Sequence, residues 1–395
     1  MRLAKKIRLK PTPKQEILFW KSAGVARWAY NYFLSEQERV WKEYLANGKT
    51  GAKSVREGAV RKHINHVLKK TTHTWLSEVG SNVMKQAVKD ANTAYQAYFK
   101  GISEKPCYKS KHKSKPSFYV NYESLSRRNG GFHGEKIGLV KTSEPLPKLP
   151  KGKKYSNPHI SFDGKYWYLS VGYEVSEKKR KLTGKSIGID LGIKELAICS
   201  NGKTYQNINH SQKIRRMEKI LKREQHKLSR KLEQNRCGYQ TVRNKRVPVF
   251  LKPLSECRNF QKQKRRIKLR HRKLANIRNN YLHQTTTEIV KTKPSRIVME
   301  TLNVKGMMKN KHLAKAIQKQ KFYEFKRQMC YKCQKYGIEF VEVPTFYPSS
   351  KTCSCCGSIK EDLKLCDRIY RCKECGLVID RDLNASVNLA NYESA

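Results

Sequence analysis

The sequence predicts an α+β chain of several domains, and three observations carry that prediction. The hydrophobic period switches from two to about 3.6 and back along the first 184 residues. Two later apolar strands each end on, or are interrupted by, a single carboxylate. Two Cys-x-x-Cys pairs stand near the C-terminus. A length of 395 residues allows two to four domains, and a hydrophobic share of 38% suits one real core with groove-like or helical parts around it.

Leu3, Ile7 and Leu9 alternate with Lys and Arg, so residues 1–13 read as a strand ending at Pro11 and Pro13. From Lys14 to about Lys100 the pattern is helical: Val25–Trp28–Tyr32 and Met84–Ala87–Ala91–Ala94 keep a spacing of three to four. Residues 101–184 return to short alternating segments, Ser117–Tyr122, Lys136–Val140, His159–Phe162 and Tyr166–Gly172, after a basic, Pro-bounded loop. Asp163-Gly164 between the last two is a hairpin signal. Ser186–Leu191 and Glu195–Ser200 form a second hairpin. Residues 211–280 read as a long helical pair with 24 Lys and Arg against 4 Asp and Glu, broken near Arg236–Pro253 by Gly238, Pro248 and Pro253. Arg296–Leu302 is a strand, Leu313–Tyr336 a helix closed by Gly337, and Ile338–Val343 a strand. A Cys-rich stretch and an amphipathic segment, Leu383–Tyr392, close the chain.

Charge narrows the function classes. Eighty-five Lys and Arg face 32 Asp and Glu, a formal net charge of +53 spread over nearly the whole chain. Such self-repulsion opposes a compact state, and a bound polyanion relieves it. Nucleic acid fits best, because each phosphate neutralised releases a counterion; a membrane-surface or ribosome-associated protein is the blander choice. Tyr and Phe among these charges can stack on bases, although most aromatics are core. There is no run long enough for a transmembrane helix and no secretory h-region at Met1–Lys10, so a reducing cytoplasm is expected. There the 12 Cys argue for metal ligands and buried thiols.

Cys353/Cys356 and Cys372/Cys375 are Cys-x-x-Cys knuckles with 15 residues between them, and a Gly follows each. Each knuckle gives zinc two thiolates at one turn, so the pattern reads as a structural zinc ribbon. Cys355 competes with Cys356, and Gly357 favours Cys356. Cys366 reads as a spare hydrophobe, and Cys330-Tyr-Lys-Cys333 as helical core.

Asp190 interrupts the apolar run Ser186–Ile193, and Glu300 ends Ile297-Val-Met. Asp380 and Asp382 stand just before the last helix. Carboxylates rarely occupy apolar strands unless paired or metal-bound. Three on separate elements can converge on two magnesium ions that clamp the attacking and leaving oxygens of a phosphodiester. Singly, Asp190 also reads as a buried ion-pair partner, Glu300 as an N-cap neighbour and Asp382 as a helix cap.

At these residues the sequence resembles the transposon-encoded TnpB family, compact relatives of type V CRISPR effector nucleases. The resemblance runs from residues 6–15 (KIRLKPTPKQ) and Arg27-Trp-Ala-Tyr-Asn31 through Gly188-Ile-Asp-Leu-Gly-Ile-Lys194 and Met299–Met307 to Ser350–Gly357 and Asp380-Arg-Asp-Leu-Asn-Ala385. It implies a split RuvC-like, RNase H-like α/β nuclease with acids Asp190, Glu300 and Asp382. Asp382 is taken over Asp380 because the family's ligand lies two residues before the Asn. It implies a β-barrel wedge domain (1–13 and 101–184) interrupted by a helical recognition insert (14–100). A nuclease domain (185–345) carrying the basic pair 211–280 follows, then an inserted zinc ribbon (346–379) and a third nuclease segment (380–395). The implied partners are a noncoding guide RNA from the element's right end, held by one or two copies of the protein, and double-stranded DNA cut beside a short transposon-adjacent motif. The setting would be the prokaryotic cytoplasm, at the nucleoid. The sequence departs from the family pattern at 236–260, at Cys355 and at Lys105–Lys111. The rival readings are a transposase using the same acids for strand transfer, and a nuclease-inactive nucleic-acid-binding regulator.

Overall fold

The computed structural model describes residues 1–175, 181–242, 245–345, 347–364 and 366–393. Phe346, the first residue of the expected ribbon, and residues 176–180 of the expected wedge remainder 101–184 lie outside them. The chain divides into two compact units, Arg2–Val175 and Ser176–Ala395, the latter grouped with Met1.

In the first unit the order is β1 (Arg2–Lys10), α1 (Pro13–Ala46), α2 (Glu57–His63), α3 (Ser81–Phe99), β2 (Ser117–Tyr119), β3 (Ser126–Arg128), β4 (Gly131–Gly134), β5 (Gly138–Thr142), β6 (Ser156–Phe162) and β7 (Trp167–Glu174). The strands lie in the order β2-β6-β7-β1-β5-β4-β3, so the N-terminal strand is central and pairs antiparallel with both β7 and β5. Pro13 starts α1 directly after Thr12, whose Oγ1 accepts from the Gln15 amide at 3.3 Å while Gln15 Oε1 accepts from the Thr12 amide at 3.0 Å. The Asp163-Gly164 turn forms as expected: Asp163 accepts from the Lys165 and Tyr166 amides, and Gly164 sits at φ +101°. Val25, Met84, Ala87 and Ala91 are buried with Ile7, Phe19, Phe118 and Leu169 in one core, while Trp28 and Tyr32 pack at its margin. The short strands β3 and β4 escaped the sequence reading. Ser126–Arg128 offers no apolar residue to alternate, so its strand exists only through pairing with β4.

The second unit runs β8 (Thr183–Asp190), β9 (Glu195–Cys199), β10 (Thr204–Gln206), α4 (Gln212–Gln234), β11 (Arg236–Val242), β12 (Lys245–Phe250), α5 (Arg258–Lys291), β13 (Pro294–Glu300), α6 (Val304–Met307), α7 (Lys311–Gln320), α8 (Phe322–Tyr336), β14 (Glu339–Val343), β15 (Ile369–Arg371), β16 (Val378–Asp380) and α9 (Arg381–Ala390). Its main sheet has the order β10-β9-β8-β13-β14. β13 is parallel to both β8 and β14, and β9 is antiparallel to β8. Residues alternate between the two faces. Ile187, Ile189, Ile297 and Met299 join the core with residues of α5 and α8, whereas Val298 packs with Val343 and Leu389 of α9. A sheet covered on both faces explains why these strands read as nearly unbroken apolar runs.

Two expectations need correction. The helix expected over Leu313–Tyr336 is two helices, broken at Lys321 in the left-handed region (φ 57°). The break lets the Gln320 amide donate to the Gly192 and Ile193 carbonyls in the loop after β8, at 3.0 and 3.3 Å. Lysine carries no breaker signal, so periodicity ran through it. The interruption at Arg236–Pro253 is a β-hairpin of β11 and β12, and the following helix continues to Lys291.

Candidate active site and metal centre

Register places Asp190 beside Glu300. Gly188 pairs with Val298 and Ile189 with Met299, so the two acids end adjacent parallel strands at the same level. Alternation then turns both toward the face covered by α9, since Asp190 follows Gly188 by two and Glu300 follows Val298 by two. The C-terminal end of a parallel pair is where open α/β sheets bind ligands.

Gly188 is what allows α9 to lie on that face. A Cβ there would stand 2.0 Å from the Ser386 carbonyl oxygen and 2.4 Å from the Ala390 nitrogen. The first turn of α9 brings Asp382 to the strand ends. Asp380 is exposed and serves as the helix cap, accepting from the amides of Asp382 and Leu383 at 3.0 Å. The two acids of Asp380-Arg-Asp382 therefore have different jobs, which the order of residues alone did not separate.

The Asp190 and Glu300 carboxyls are close enough to share a proton. Burial, then the charges of Glu300 and Asp382, push the Asp190 carboxyl well above the usual range, and burial raises Glu300 as well. Asp382 stands next to this pair within electrostatic reach. Its oxygens engage Arg381 at 3.4 Å and Arg368 at 3.6 Å, and Arg381 partly offsets the crowded negative charge at Asp190. Asp190 and Glu300, held close against their own repulsion, are donors suited to hard divalent cations, while the three carboxylates do not all come within 4.8 Å of one another as they stand. A cleft of about 260 Å³ opens beside Glu300, lined by Leu191, Asn303, Lys305, Tyr323 and Lys326 among others.

The four knuckle thiols also meet. The Sγ atoms of Cys353, Cys356, Cys372 and Cys375 all lie within 4.8 Å of one another, the only such group of potential metal ligands among the described residues. Cys353–Cys375 and Cys356–Cys372 are each 3.6 Å apart. A tetrahedral zinc with bonds near 2.3 Å sets sulfurs about 3.8 Å apart, so the group fits the ion. The Ser358 hydroxyl between Cys356 and Cys372 lowers both thiols, Cys372 to about 6, whereas burial and the neighbouring sulfurs push Cys375 up to about 12, so without a cation the thiolate form is favoured at only part of the group. Cys355 is outside the group. Cys366 is exposed, against the reading of a spare hydrophobe, while of Cys330 and Cys333 only the latter is buried.

Asn384 and Asn388, one turn apart on α9 and both buried, join this centre to the acids. Asn384 accepts from the Ser354 amide at 3.0 Å and donates to the Thr352 carbonyl at 2.7 Å. Asn388 donates to the Ser349 and Thr352 carbonyls at 2.7 and 2.6 Å. Neither was singled out from the sequence, although two amides at i and i+4 in a short apolar helix were the available signal. Chelating zinc is expected to expose the 347–380 segment to protease within minutes while the first unit stays resistant. Limited proteolysis with and without chelator measures this, and unchanged cleavage of 347–380 would remove the ribbon assignment.

Comparison with known proteins adds three family matches. Residues 170–311 match the family described as probable transposase (OrfB of IS605), residues 1–46 its helix-turn-helix domain, and residues 322–389 the Cas12f1-like TNB domain. A Streptomyces pristinaespiralis protein named as an RNA-guided DNA endonuclease is 30% identical over 97% of this chain and 87% of its own length. The similarly named InsQ of Escherichia coli K12 is 27% identical over 97% and 90%, and the TnpB-like protein L770 of Acanthamoeba polyphaga mimivirus 24% identical over 98% and 72%. Among solved structures, a Cas12f1 chain from a complex with single-guide RNA and target DNA superposes with a TM-score of 0.53 at 14% identity, covering 99% of both chains. The α+β fold with mixed sheets is therefore the one that Cas12f1 adopts.

Proposed function

We propose, from the premise that this chain belongs to the TnpB family of RNA-guided DNA endonucleases, that it cuts guide-matched DNA at Asp190, Glu300 and Asp382. The observation that carries the assignment is the placing of Asp190 and Glu300 at the ends of neighbouring parallel strands, on the face where α9 delivers Asp382. We read the second unit's main sheet as the RNase H-like, RuvC-like nuclease core and Cys353–Cys375 as its structural zinc ribbon. Residues 1–13 and 101–184 we read as the wedge, with 14–100 as the recognition insert.

Asp190, Glu300 and Asp382 would hold magnesium, which when bound would supply charge to activate water and steady the leaving oxygen. The chain's own residues do the rest. Asp190 and Glu300 fix the site on two rigid strands. Arg381 and Arg368 orient Asp382. Lys305 brings positive charge to the cleft beside Glu300, where a backbone phosphate can lie, while Lys326, which also lines it, is paired with Glu342 at 2.7 Å. Of the few acids in the basic helical pair, Glu218 is turned inward onto Arg278 and Lys319, at 2.7 and 2.6 Å, so it neutralises little of the outer face. That face follows the phosphates of a noncoding RNA from the element's right end, held by one or two copies of the protein. Base pairing reads the target, and the protein reads a short motif beside it. No described helix is long and apolar enough to cross a membrane; the nucleoid of a prokaryotic cytoplasm is the proposed setting.

The test is expression of the chain with its flanking locus, sequencing of the copurified RNA, and assay of that complex on plasmids carrying the matching target beside randomised flanks. Cleavage should require the RNA, magnesium and one flanking motif. RNA-independent joining of DNA ends would establish the transposase reading instead.

A further inference from the structure

The β11–β12 hairpin is unexplained by the nuclease site. It interrupts the basic helical pair, and α4, 23 residues and about 35 Å long, carries it away from the sheet. Most of its described residues are exposed or half-buried, including Tyr239, Val242 and Val247. A ribbon solvated on both faces does nothing for a core. Its sequence is one-sided in charge. From Gln234 to Ser255 there is no Asp or Glu, against Arg236, Arg243, Lys245, Arg246 and Lys252.

The hairpin also gathers two guanidiniums around one aromatic ring. The Arg236 and Arg246 guanidiniums lie over the Tyr239 ring at 4.6 and 4.0 Å from its centroid. Cross-strand pairing brings this about: Thr241 opposes Arg246 and Tyr239 opposes Pro248, so Tyr239 and Arg246 are diagonal neighbours on one face. A register slip between Arg236 and Gly238 swings Arg236 to the same ring, where it donates to the Tyr239 hydroxyl and pairs with Glu233. Tyr239 remains 43% exposed.

We infer that this hairpin is a second RNA-binding element, whose Arg236–Tyr239–Arg246 cluster takes unpaired bases from a loop of the guide RNA. The charge complements phosphate. The planar groups complement base faces, which an unpaired nucleotide offers and a duplex conceals. RNA is favoured over the displaced DNA strand because the hairpin is continuous with the helical pair that follows the RNA backbone. The inference rests on that reading of the pair.

The experiment uses the full chain, its copurified RNA and the variants Tyr239→Ala and Arg236→Ala/Arg246→Ala. Both sit on an exposed ribbon, and circular dichroism with melting checks that they fold. Affinity for the RNA should fall about tenfold or more, as one lost base stack implies. Tyr239→Trp should restore it and Tyr239→Leu should not. Chemical probing of the 2′-hydroxyls should show a patch of unpaired nucleotides protected by the unaltered protein and released by Tyr239→Ala. Unaltered RNA affinity, protection confined to paired stems, or weakened binding to single-stranded DNA alone would each overturn the inference while leaving the nuclease reading intact. An unaltered chain that binds no RNA would remove both.

Discussion

Asp190→Asn is expected to lower DNA cleavage by at least about a thousandfold, worth roughly 4 kcal/mol of transition-state stabilisation, while RNA affinity and melting temperature are held or rise. The same is expected of Glu300→Gln. A buried carboxylate is costly, and Asp190 and Glu300 repel one another and Asp382 when ionised, unless a shared proton or cations sit among them. Removing one charge with its shape kept therefore costs the metal-free fold nothing. On the proposed reading it also removes a metal ligand, and with it the charge needed when water attacks the phosphodiester. The two readouts separate the alternatives left open by the sequence. A buried structural ion-pair partner would lose stability on neutralisation and keep most of its rate. Single-turnover cleavage of a guide-matched duplex, with melting curves of each variant, decides between them. Retained cutting within about tenfold of the unaltered protein would be inconsistent with the assignment.

The second large effect is expected at a residue with no side chain. Gly188→Ala should cost about 1–3 kcal/mol or more and lower cleavage at least tenfold, because the added methyl overlaps backbone atoms of α9. No rotamer relieves a clash with the Ser386 oxygen and Ala390 nitrogen, so α9 must shift and carry Asp382 with it. Gly184→Ala is the matched control. It lies on the same strand with nothing within 4 Å of the new atom, and should be nearly neutral. Equal melting temperatures and rates for the two variants would show that α9 does not depend on this contact.

Chelation and the hairpin substitutions probe separate parts of the same unit. The first loosens a segment tied to α9 through Asn384 and Asn388. The second leaves the acids untouched, so the two effects should be additive.

What the residues themselves made legible was what local chemistry forces. An acid at the end of an apolar strand is a costly placement, so Asp190 and Glu300 stood out without coordinates. Two Cys-x-x-Cys knuckles have few other uses, so the thiol group was readable, and Asp163-Gly164 announced its turn. A shift of period separated helices from strands in the first unit. None of this needed to know which elements touch.

Contacts between distant elements lay beyond that reach. Only the parallel register of β8 and β13 puts Asp190 beside Glu300, and only a helix seated on Gly188 brings Asp382 to them. Which of Asp380 and Asp382 caps the helix followed from where α9 begins. The left-handed Lys321 follows from the carbonyls that Gln320 must satisfy, and the Arg–Tyr–Arg cluster from a hairpin whose strands pair across a break in a helical pattern. The amino-acid sequence by itself determined the kinds of chemistry present: buried acids, paired thiols and a large excess of positive charge. Tertiary structure decided which of those groups act together, because register and close backbone approach are relations between segments far apart in the chain.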